Sequence, residues 1–422
     1  MTKATFETIS VVGLGYIGLP TAAMFAARKI RVIGVDINQS TVDTVNQGKI
    51  HIVEPDLDMV VHAVVHQGYL RATTMPEPAE AFLIAVPTPF KGDNNVPDLS
   101  FIEAACKRIA PVLKHGDLVI LESTSPVGTT ERMAEWLALA RPDLSFPQTA
   151  GEQSDIRVAH CPERVLPGKV MQELITNDRI IGGMTARCSE LATKLYKTFV
   201  TGECVIASSP RVAEMAKLTE NSFRDVNIAF ANELSMICDK LNMDVWELIV
   251  LANRHPRVNI LQPGPGVGGH CIAVDPWFIV SSAPEEARLI ATAREVNDSK
   301  PHWVLDRVSA EIEAELMEFS DKTADDVSLS IYGLAFKPDI DDVRESPALE
   351  IARALAQMHP GPMKIVEPNL NILPDQLDRA ELVNVEAAKL SSVHVMLVDH
   401  ADFRNSETPK GRIVDVRGVW LN

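Results

Sequence analysis

A glycine-rich run that ends in a thiol is the part of this chain best suited to covalent chemistry. Residues 264–271 read Gly-Pro-Gly-Val-Gly-Gly-His-Cys, and Asp275 follows Cys271 by four residues. Glycines without a Cβ let the backbone approach a ligand closely, and a loop thiolate acts as a nucleophile where cationic or dipolar neighbours favour it. A single cysteine is more often a small core hydrophobe. The catalytic interpretation of Cys271 therefore depends on the residues described below.

A second polar group is predicted on one face of a helix. Lys217, Asn221 and Arg224 follow the spacing i, i+4, i+7, which aligns an amine, an amide and a guanidinium on one stripe. Such a stripe can surround an oxygen-rich substrate, although a solvated polar face has the same spacing. The flanking residues are mostly apolar, Met215 and Phe230 among them. We therefore expect a buried helix whose charged groups have partners.

A glycine motif near the amino terminus predicts a phosphate-binding turn. Gly13-x-Gly15-x-x-Gly18 follows a predicted strand, residues 8–12, and opens a predicted helix, residues 20–28. In this context the glycines allow a tight turn, close approach of the backbone to a pyrophosphate, and packing of the helix on the strand. The amino terminus of the helix attracts the anion. The alternative is a glycine turn that binds nothing.

The residue that ends the next predicted strand selects the cofactor. Residues 31–36 form that strand, and Asp36 is its last residue. A carboxylate at this place accepts a hydrogen bond from a ribose 2′-hydroxyl and repels a 2′-phosphate. NAD is therefore favoured over NADP, and Tyr16 and Ile17, inside the glycine motif, are also predicted to contact it.

Two further hydroxyl-bearing segments follow predicted strands. Thr88 lies in Val86-Pro87-Thr88-Pro89, and Thr124 lies in residues 122–128, Glu-Ser-Thr-Ser-Pro-Val-Gly. Ligands bind at the carboxyl ends of strands in open α/β sheets, so both hydroxyls are candidates to face the nicotinamide half of NAD. Helix caps and turns account for such residues equally well.

The alternation of predicted elements indicates an α/β fold. A helix over residues 99–113 separates strands at residues 81–86 and 118–122, and strands near Arg157 and Arg179 extend a parallel sheet. Two later regions, residues 210–251 and 287–315, are predicted to be helical, and β-strands are predicted again at residues 327–332, 363–366 and 393–398. We predict a Rossmann-type NAD-binding domain over residues 1–208, a central helical domain with the cysteine loop over 209–318, and a Rossmann-like α/β domain over 319–422.

Bulk composition excludes several classes of protein. The 422 residues carry a formal net charge of −17, and 46% are hydrophobic while 23% are charged. Such a charge repels nucleic acid and anionic membranes, and no apolar run has the length of a membrane span. Six scattered cysteines without a CxxC spacing argue against a disulfide framework and a metal site. No export signal is visible at the amino terminus, so we expect a cytoplasmic protein with reduced thiols.

Taken together, the motifs resemble the nucleotide-sugar 6-dehydrogenases of the UDP-glucose/GDP-mannose dehydrogenase family. The resemblance runs in order from about residue 8 to residue 420. The motifs that carry it are Gly13-x-Gly15-x-x-Gly18, Ser-Pro-Val-Gly-Thr-Thr at 125–130, Cys-Pro-Glu-Arg at 161–164, Lys217 with Asn221, Cys271 with Asp275, and Phe-Lys-Pro-Asp-Ile-Asp-Asp-Val-Arg-Glu-Ser-Pro at 336–347.

Two departures bear on the substrate that the resemblance implies. Members that oxidise UDP-glucose usually carry a serine before the nucleophile and a lysine before the aspartate, where this chain has His270 and Val274. Residues 162–168, Pro-Glu-Arg-Val-Leu-Pro-Gly, are similar to the N-acetylhexosamine branch. The resemblance thus implies oxidation of UDP-N-acetyl-D-mannosamine at C6, with UDP-N-acetylglucosamine and UDP-glucose as alternatives.

The resemblance also implies catalytic roles. Cys271 would be the covalent nucleophile that forms a thiohemiacetal and then a thioester, and Lys217 with Asn221 would stabilise the oxyanion. Asp275 would organise the hydrolytic water, with Glu163 as a second candidate for the general base.

Binding roles are implied for a larger set of residues. Arg344 is expected near the cofactor and the substrate carboxylate, and Arg417 is a weaker candidate. The central helical domain is expected to form the interface of a homodimer, in which His255 and Arg257 reach the active site of the neighbouring subunit, and the last domain is expected to bind UDP. The remaining predicted contacts to the UDP-sugar are Arg164, Val165, Lys217, Asn221, Arg224, Gly268, Phe336 and Lys337.

Two other classes of function stay open from the sequence. A non-catalytic NAD- and nucleotide-binding regulatory protein would not need Cys271, Lys217, Asn221 and Asp275 together. A UDP-sugar epimerase with resident NAD usually carries a Tyr-x-x-x-Lys pair, which is absent from this sequence.

Overall fold

The computed structural model describes residues 6–92, 95–165, 168–269, 271–404 and 406–420. The chain divides into two compact units: the first is Met1–Glu220 with Ser281–Pro284, and the second is Asn221–Val280 with Glu285–Asn422. His270, Leu166 and Pro167 of the motifs above lie outside the described residues. The three-domain division at residues 208 and 318 remains a prediction.

The first unit is built on an eight-stranded sheet in the order β10-β9-β8-β7-β4-β1-β2-β3. Neighbouring strands are parallel except β8 and β9, which pair antiparallel through His160↔Gly182. The prediction of a parallel sheet that simply continues through Arg179 is therefore wrong at this one pairing. The strands are β1 (Thr8–Val12), β2 (Arg31–Val35), β3 (Leu70–Thr73), β4 (Ala81–Ile84), the hairpin pair β5 (Phe90–Lys91) and β6 (Val96–Pro97), β7 (Leu118–Leu121), β8 (Arg157–His160), β9 (Arg179–Gly183) and β10 (Cys204–Ile206).

Helices cover both faces of this sheet, as a mostly parallel sheet requires. Alternate residues of each strand enter different cores, so Ile9 and Val11 pack with Phe25 and Tyr196 on one face, whereas Val12 packs on the other. The helices are α1 (Gly18–Ala27), α2 (Gln39–Asn46), α3 (Leu57–His66), α4 (Ser100–Ile109), α5 (Thr129–Ala140), α6 (Pro147–Ala150), α7 (Val170–Thr176) and α8 (Ala186–Tyr196), with short 3-10 turns at Ala110–Val112 and Gly151–Gln153.

The predicted helical region at residues 210–251 consists of two helices. They are α9 (Pro210–Lys240) and α10 (Val245–Ala252). Asn242 between them has φ +54°, a left-handed conformation that asparagine tolerates better than most residues. The Asp244 side chain then caps α10 by accepting from the N–H of Trp246 at 2.7 Å. The prediction of one long helical stretch is therefore wrong at residues 241–244, where the chain turns between the two helices.

The second unit contains a five-stranded, fully parallel sheet in the order β13-β12-β11-β14-β15. Val304 of α12 and Leu355 of α13 pack on one face, and Phe403 and Trp420 pack on the other. The remaining elements are α11 (Asp275–Ser282), α12 (Arg288–Glu318), a 3-10 turn at Ala324–Asp326, β11 (Leu329–Tyr332), α13 (Pro347–Met358), β12 (Met363–Val366), β13 (Ala380–Leu382), α14 (Val385–Ala388), β14 (Val393–Met396), α15 (Ala401–Arg404) and β15 (Arg412–Asp415).

Candidate active site

In the turn after β1, two of the three motif glycines have no room for a side chain, whereas the third faces open space. Gly13 has φ +92°, and a Cβ there would lie 2.5 Å from the carbonyl oxygen of Ala85. A Cβ on Gly18 would collide with the carbonyl of Gly13, whereas a Cβ on Gly15 would meet no atom within 4 Å. No side chain caps α1 at Ile17, and Tyr16 is 38% exposed. The turn therefore offers open backbone at Gly15 and a helix amino terminus to an anion.

Asp36 lies beside this turn, at the end of β2. Its Oδ2 accepts from the N–H of Leu14 at 2.9 Å, and its Oδ1 accepts from the N–H of Asn38 at 2.9 Å. The side chain is half-buried, so the carboxylate also faces outward. These features fit an adenosine ribose and the pyrophosphate of NAD.

The second unit contains a similar turn, but its acidic residue is buried and paired with a histidine. Gly333 has φ +88°, and Glu367 at the end of β12 accepts from the N–H of Leu334 at 2.7 Å. Burial alone would raise the pKa of Glu367, but the hydrogen bond from His400 and that from Leu334 lower it overall. The Nε2 of His400 lies 3.1 Å from Oε2 of Glu367, and both side chains are buried. The geometry therefore places a dinucleotide turn in the first unit and a closed counterpart in the second.

The predicted nicotinamide-side residues join the segments after β4 and β7. The Oγ1 of Thr88 donates to the carbonyl of Thr124 at 2.9 Å, and the Oγ of Ser123 donates to the carbonyl of Val86 at 2.7 Å. The two segments thus form one polar wall at the carboxyl end of the sheet. Thr88 and Thr124 are both half-buried.

The segment after Thr124 is held by a residue that the sequence analysis missed. Glu214 of α9 accepts from the N–H of Gly128 at 2.6 Å, from the N–H of Thr130 at 2.8 Å, and from the hydroxyl of Thr130 at 2.6 Å. Glu214 therefore caps α5 from another helix.

Glu163 is a buried carboxylate with a buried cation as its partner. Its Oε2 lies 2.7 Å from Nη1 of Arg179, and the two side chains are 7% and 3% exposed. Its Oε1 accepts from the N–H of Arg164 at 2.6 Å. Extending the antiparallel register of β8 and β9 beyond His160↔Gly182 brings Arg179 opposite Glu163. Arg179 was not predicted as a site residue because the direction of β9 is not visible in the sequence.

Arg164 and Val165 continue from Glu163 with different environments. The guanidinium of Arg164 forms an ion pair with Glu220, with Nη2 to Oε1 at 2.7 Å. Val165 is partly buried against the core of the first unit. Arg164 is therefore oriented by a carboxylate of α9.

A buried acid lies next to this pair. Glu122 follows β7 and accepts from the hydroxyl of Tyr196 at 2.6 Å. Burial raises the pKa of Glu122 to about 7, although the nearby Arg179 and the Tyr196 hydroxyl oppose the increase. Arg179 also lies over the ring of Tyr196, with 5.2 Å from its Cζ to the ring centroid. One buried network thus links the carboxyl ends of β7 and β8 through Arg179.

The predicted polar stripe of α9 is present, but the helix is not fully buried. Lys217 and Asn221 are half-buried and Arg224 is exposed. Met215 and Phe230, which led to the expectation of a buried helix, are 39% and 54% exposed. That expectation is therefore wrong, since part of the apolar surface of α9 has no cover within one chain.

Cys271, Asp275 and Asn221 are connected by hydrogen bonds. The N–H of Asp275 donates to the carbonyl of Cys271 at 2.9 Å, so the thiol is one helical turn before the start of α11. The Nδ2 of Asn221 donates to Oδ2 of Asp275 at 2.5 Å. Asp275 is 2% exposed, whereas Cys271 is exposed. A cysteine with an exposed side chain thus precedes, by one helical turn, a buried carboxylate that an amide orients.

The other thiols have less suitable surroundings. Among the six cysteines, Cys271 alone is classed as exposed. Burial raises the pKa of Cys106 and of Cys161 to about 12, and burial also raises the pKa of Cys204 and Cys238. A buried thiol with a raised pKa is a poor nucleophile.

The loop before Cys271 is held along its length. The N–H of Gly264 donates to Oδ1 of Asn232 at 2.9 Å, and Nη1 of Arg417 donates to the carbonyl of Pro263 at 3.1 Å. Farther along, the N–H of Gly269 donates to the carbonyl of Glu345 at 3.3 Å. A Cβ on Gly268 would clash with the same carbonyl and lie 3.0 Å from Cβ of Phe336. Glycine is required here because the loop packs directly on the 336–347 segment.

Asn232 belongs to a buried network that the sequence did not reveal. Its Nδ2 donates to Oδ1 of Asn297 at 2.9 Å, and Nδ2 of Asn297 donates to Oδ1 of Asp225 at 2.9 Å. Nη1 of Arg294 forms an ion pair with Oδ1 of Asp225 at 2.7 Å. These polar residues connect α9 and α12, and they support the anchor of Gly264.

The other predicted binding residues are on the surface of the single chain. Lys337 is exposed, and so are His255 and Arg257 after α10. Arg344 forms a forked ion pair with Asp342, with Nη2 to Oδ2 at 2.6 Å and Nε to Oδ1 at 2.8 Å. Arg417 pairs with Asp399 at 2.6 Å while also holding the loop at Pro263.

Membrane-spanning helices and metal-binding clusters are both absent from the described residues. No helix there is both long enough and apolar enough to cross a membrane. No group of three or more histidine, cysteine, aspartate or glutamate residues in that part of the chain could hold a metal ion.

Three family models match consecutive parts of the chain. They describe the NAD binding domain, the central domain and the UDP binding domain of the UDP-glucose/GDP-mannose dehydrogenase family, and they match residues 7–200, 211–299 and 330–422. The cofactor of the first unit is therefore NAD.

Individual relatives are similar over their full lengths. The chain is 65% identical to the UDP-N-acetyl-D-mannosamine dehydrogenase of Yersinia pestis, over 99% of this chain and 100% of the relative. It is 64% identical to the NDP-N-acetyl-D-galactosaminuronic acid dehydrogenase of Ralstonia nicotianae, over 98% and 96%. The solved UDP-D-ManNAc dehydrogenase of Pyrococcus horikoshii superposes with a TM-score of 0.84 at 36% identity, over 98% and 96%.

Proposed function

We propose a function from the premise that this chain belongs to the UDP-glucose/GDP-mannose dehydrogenase family and is an NAD-dependent nucleotide-sugar dehydrogenase. The proposed reaction is the oxidation of C6 of UDP-N-acetyl-D-mannosamine to the uronate. The observation that carries the proposal is the exposed thiol of Cys271 one turn before Asp275, whose carboxylate is oriented by Asn221. A regulatory protein that only binds nucleotides would have no need of this arrangement.

The cofactor is expected to bind at the turn after β1. The open backbone at Gly15, the amino terminus of α1 and the carboxylate of Asp36 would hold it, with Thr88 and Thr124 at the nicotinamide side. Bound NAD⁺ supplies a hydride acceptor for each of the two oxidations at C6.

We assign the two oxidations and the covalent step to three side chains. Lys217, or a water that it holds, takes the proton of the C6 hydroxyl during the first oxidation. Sγ of Cys271 then bonds to C6 of the aldehyde while the carbonyl oxygen gains a proton, which gives a thiohemiacetal. Loss of that proton gives an oxyanion, which the Lys217 ammonium and the Asn221 amide stabilise. Departure of a second hydride from C6 then forms the carbonyl of the thioester.

Hydrolysis completes the cycle. Water attacks the thioester carbon, the C–S bond breaks, and the thiol of Cys271 is regenerated as the carboxylic acid leaves. We propose that Asp275 orients this water, because Asp275 follows Cys271 by one helical turn. Glu163 is the second candidate, and its oxygens already accept from Arg179 and Arg164.

We propose that Arg164, Val165, Arg224, Gly268, Phe336 and Lys337 bind the UDP-sugar and that Arg344 and Arg417 are auxiliary contacts. Support comes from the packing of Gly268 on Phe336 and from the link of Arg417 to the loop at Pro263.

We also propose a homodimer in which His255 and Arg257 act in the partner's active site. Phe223, Phe230 and Ile237 are 71%, 54% and 43% exposed on α9 and repeat every seven residues. Leu241, 59% exposed, follows four residues later. A seven-residue apolar repeat on a helix is typical of a seam between two helices, and an exposed apolar stripe marks an interaction surface.

A cytoplasmic location is part of the proposal. None of the six cysteines, all of them described by the structure, is in a disulfide, which is typical of proteins in a reducing compartment.

Two different hexosamines are candidates for the sugar of the substrate. Relatives of nearly equal identity carry names with N-acetylmannosamine and with N-acetylgalactosaminuronic acid, and these sugars differ in configuration at C2 and C4. A UDP-N-acetylgalactosamine-type substrate is therefore the second candidate, and UDP-N-acetylglucosamine and UDP-glucose complete the panel.

The decisive experiment measures NADH released per mole of limiting sugar nucleotide, with each member of the panel in parallel. We expect two equivalents from UDP-N-acetyl-D-mannosamine and the highest kcat/KM for it. A yield of one equivalent would overturn the thioester route, and no NADH from any sugar would overturn the function. A higher kcat/KM for another sugar would replace the substrate while leaving the chemistry in place.

A further inference from the structure

A cavity lies at the edge of the first unit's sheet opposite the glycine turn. Its volume is about 260 Å³, and it is lined by the start of β8, by the loop before β7 and by α8. The cofactor turn is at the carboxyl ends of the strands, whereas Arg157 is the first residue of β8. The cavity therefore belongs to neither the cofactor site nor the cysteine loop.

Arg157 is a buried cation that has no carboxylate partner. It is 4% exposed and lines the cavity, and its guanidinium donates to the hydroxyl of Ser154 at 3.2 Å. No described Asp or Glu lies within ion-pair distance of it. Burial, together with the nearby Arg187, lowers the pKa of Arg157, and the more weakly acting carboxylates of Asp155 and Glu152 offset only part of this effect. A buried charge without a partner is costly, so an anion in the cavity would relieve that cost.

The helix α8 adds more positive charge to the same cavity. Arg187, Glu190 and Lys194 are spaced three and four residues apart on one face, and all three line the cavity. Neither Arg187 nor Lys194 forms an ion pair with any of the described residues. His115, at the rim, lies 3.3 Å from Asp155. The lining of the cavity thus has three cations and one carboxylate, with the carboxylates of Asp155 and Glu152 near Arg157 outside that lining.

The amino terminus of α8 does not contribute to this field, because Glu152 already accepts from the N–H groups of Ala186 and Arg187. Any anion must be held by side chains. Guanidinium groups match the oxygens of a phosphate in forked geometry.

We infer that this cavity is a second binding site of the protein, for a phosphate-class dianion such as orthophosphate or the diphosphate of a nucleotide. Arg157 contacts the anion at the base of the cavity, and Arg187 and Lys194 close over it from α8. Glu190 weakens binding by its negative charge. The site is independent of the reaction proposed above.

Isothermal titration calorimetry tests the inference with orthophosphate and pyrophosphate as separate probes. The full-length protein is first saturated with NADH and UDP, so that phosphates cannot bind where those ligands bind. We expect one saturable site per chain for at least one probe, and the probe that binds more tightly identifies a single phosphate or a diphosphate as the ligand. No saturable binding of either probe would overturn the inference.

Variants of the exposed residues of the lining test whether the phosphate binds in this cavity, and they leave the buried Arg157 in place. Arg187→Ala and Lys194→Ala should each weaken binding about tenfold, the loss expected for one charge-assisted hydrogen bond. Glu190→Gln should tighten it. Lys49→Ala, which removes the same charge from an exposed position outside the cavity, should change nothing. Equal weakening in Lys49→Ala, or unchanged binding in Arg187→Ala and Lys194→Ala, would show that the phosphate binds elsewhere.

Discussion

Glu163 is held by Arg179 at 2.7 Å because β9 runs antiparallel to β8. Parallel strands would carry their first residues to the opposite edge of the sheet. The reversal brings the first residue of β9 to the carboxyl end of β8, where Glu163 follows the strand. A candidate catalytic carboxylate thus owes its fixed position to the direction of a single strand.

Replacing only Arg179 should destabilise the protein more than replacing Arg179 and Glu163 together. Arg179→Met leaves Glu163 buried and unpaired, so we expect a loss of about 3–5 kcal/mol in the free energy of unfolding. The double variant Arg179→Met with Glu163→Gln should recover a large part of that loss. Urea denaturation of the four proteins of the cycle measures the coupling, and additive effects would contradict a direct pair.

Replacement of Cys271 should abolish uronate formation while preserving the fold. In Cys271→Ser a hydroxyl replaces the thiol, which is a far better nucleophile and leaving group near neutral pH. We expect turnover to fall by at least about three orders of magnitude, on the scale of losing a covalent nucleophile. Cys204→Ser is the matched control because Cys204 is a half-buried thiol outside the cysteine loop. Wild-type turnover in Cys271→Ser would rule out the covalent route.

Alkylation distinguishes the same thiol chemically. Iodoacetamide should modify Cys271 before the other five cysteines, because Cys271 is exposed and burial raises the pKa of Cys106 and Cys161 to about 12. Peptide mass spectrometry reports the site and the order of labelling. First labelling at any buried cysteine would contradict the assignment.

Asp36 should decide the choice between NAD and NADP. Asp36→Ala removes a charge that would repel a 2′-phosphate, so the ratio of kcat/KM for NADP to that for NAD should rise by at least about tenfold. Glu367→Gln provides the control, since Glu367 occupies the corresponding position of the second unit and is closed off by His400. That variant should lose stability and keep the wild-type cofactor preference.

Glu122 should make stability depend on pH in a defined window. Burial raises its pKa from 4.5 to about 7, so the folded chain retains a proton that the unfolded chain releases. Stability therefore falls as the pH rises from about 4.5 to about 7 and levels off above that range. Glu122→Gln mimics the protonated acid, so at pH 8 it should exceed the wild type in free energy of unfolding by about 3 kcal/mol. At pH 4 this advantage should disappear. An equal difference at both pH values, measured by urea denaturation, would contradict the buried-acid assignment.

A complementation experiment tests the proposed action in trans. Cys271→Ser and Arg257→Ala should each be inactive as homodimers. After subunit exchange at equal concentrations, about half of the dimers are mixed, and each mixed dimer carries one intact site if Arg257 serves its partner. Activity should therefore return to about a quarter of the wild-type value. No recovery, despite mixed dimers detected by native mass spectrometry, would place Arg257 in its own subunit's site.

The order of chemistry along the chain could be predicted from the sequence. Gly13, Gly15 and Gly18 followed by Asp36 are a local pattern, since the turn, the helix start and the strand end depend on neighbouring residues. The alternating elements likewise predicted the α/β class, the first turn and several strand positions. Cys271 with Asp275, and the helical spacing of Asn221, were recognisable as chemical candidates for the same reason.

Tertiary structure decided which partners those residues have. The direction of β9 pairs Arg179 with Glu163, and the approach of α9 to α12 anchors Gly264 through Asn232. The exposed stripe at Phe223 and Phe230 also appears only when burial is known. Each of these relations joins residues far apart in the chain, and a hydrogen bond or an ion pair over such a separation depends on the packing of whole elements, which local residue patterns do not specify.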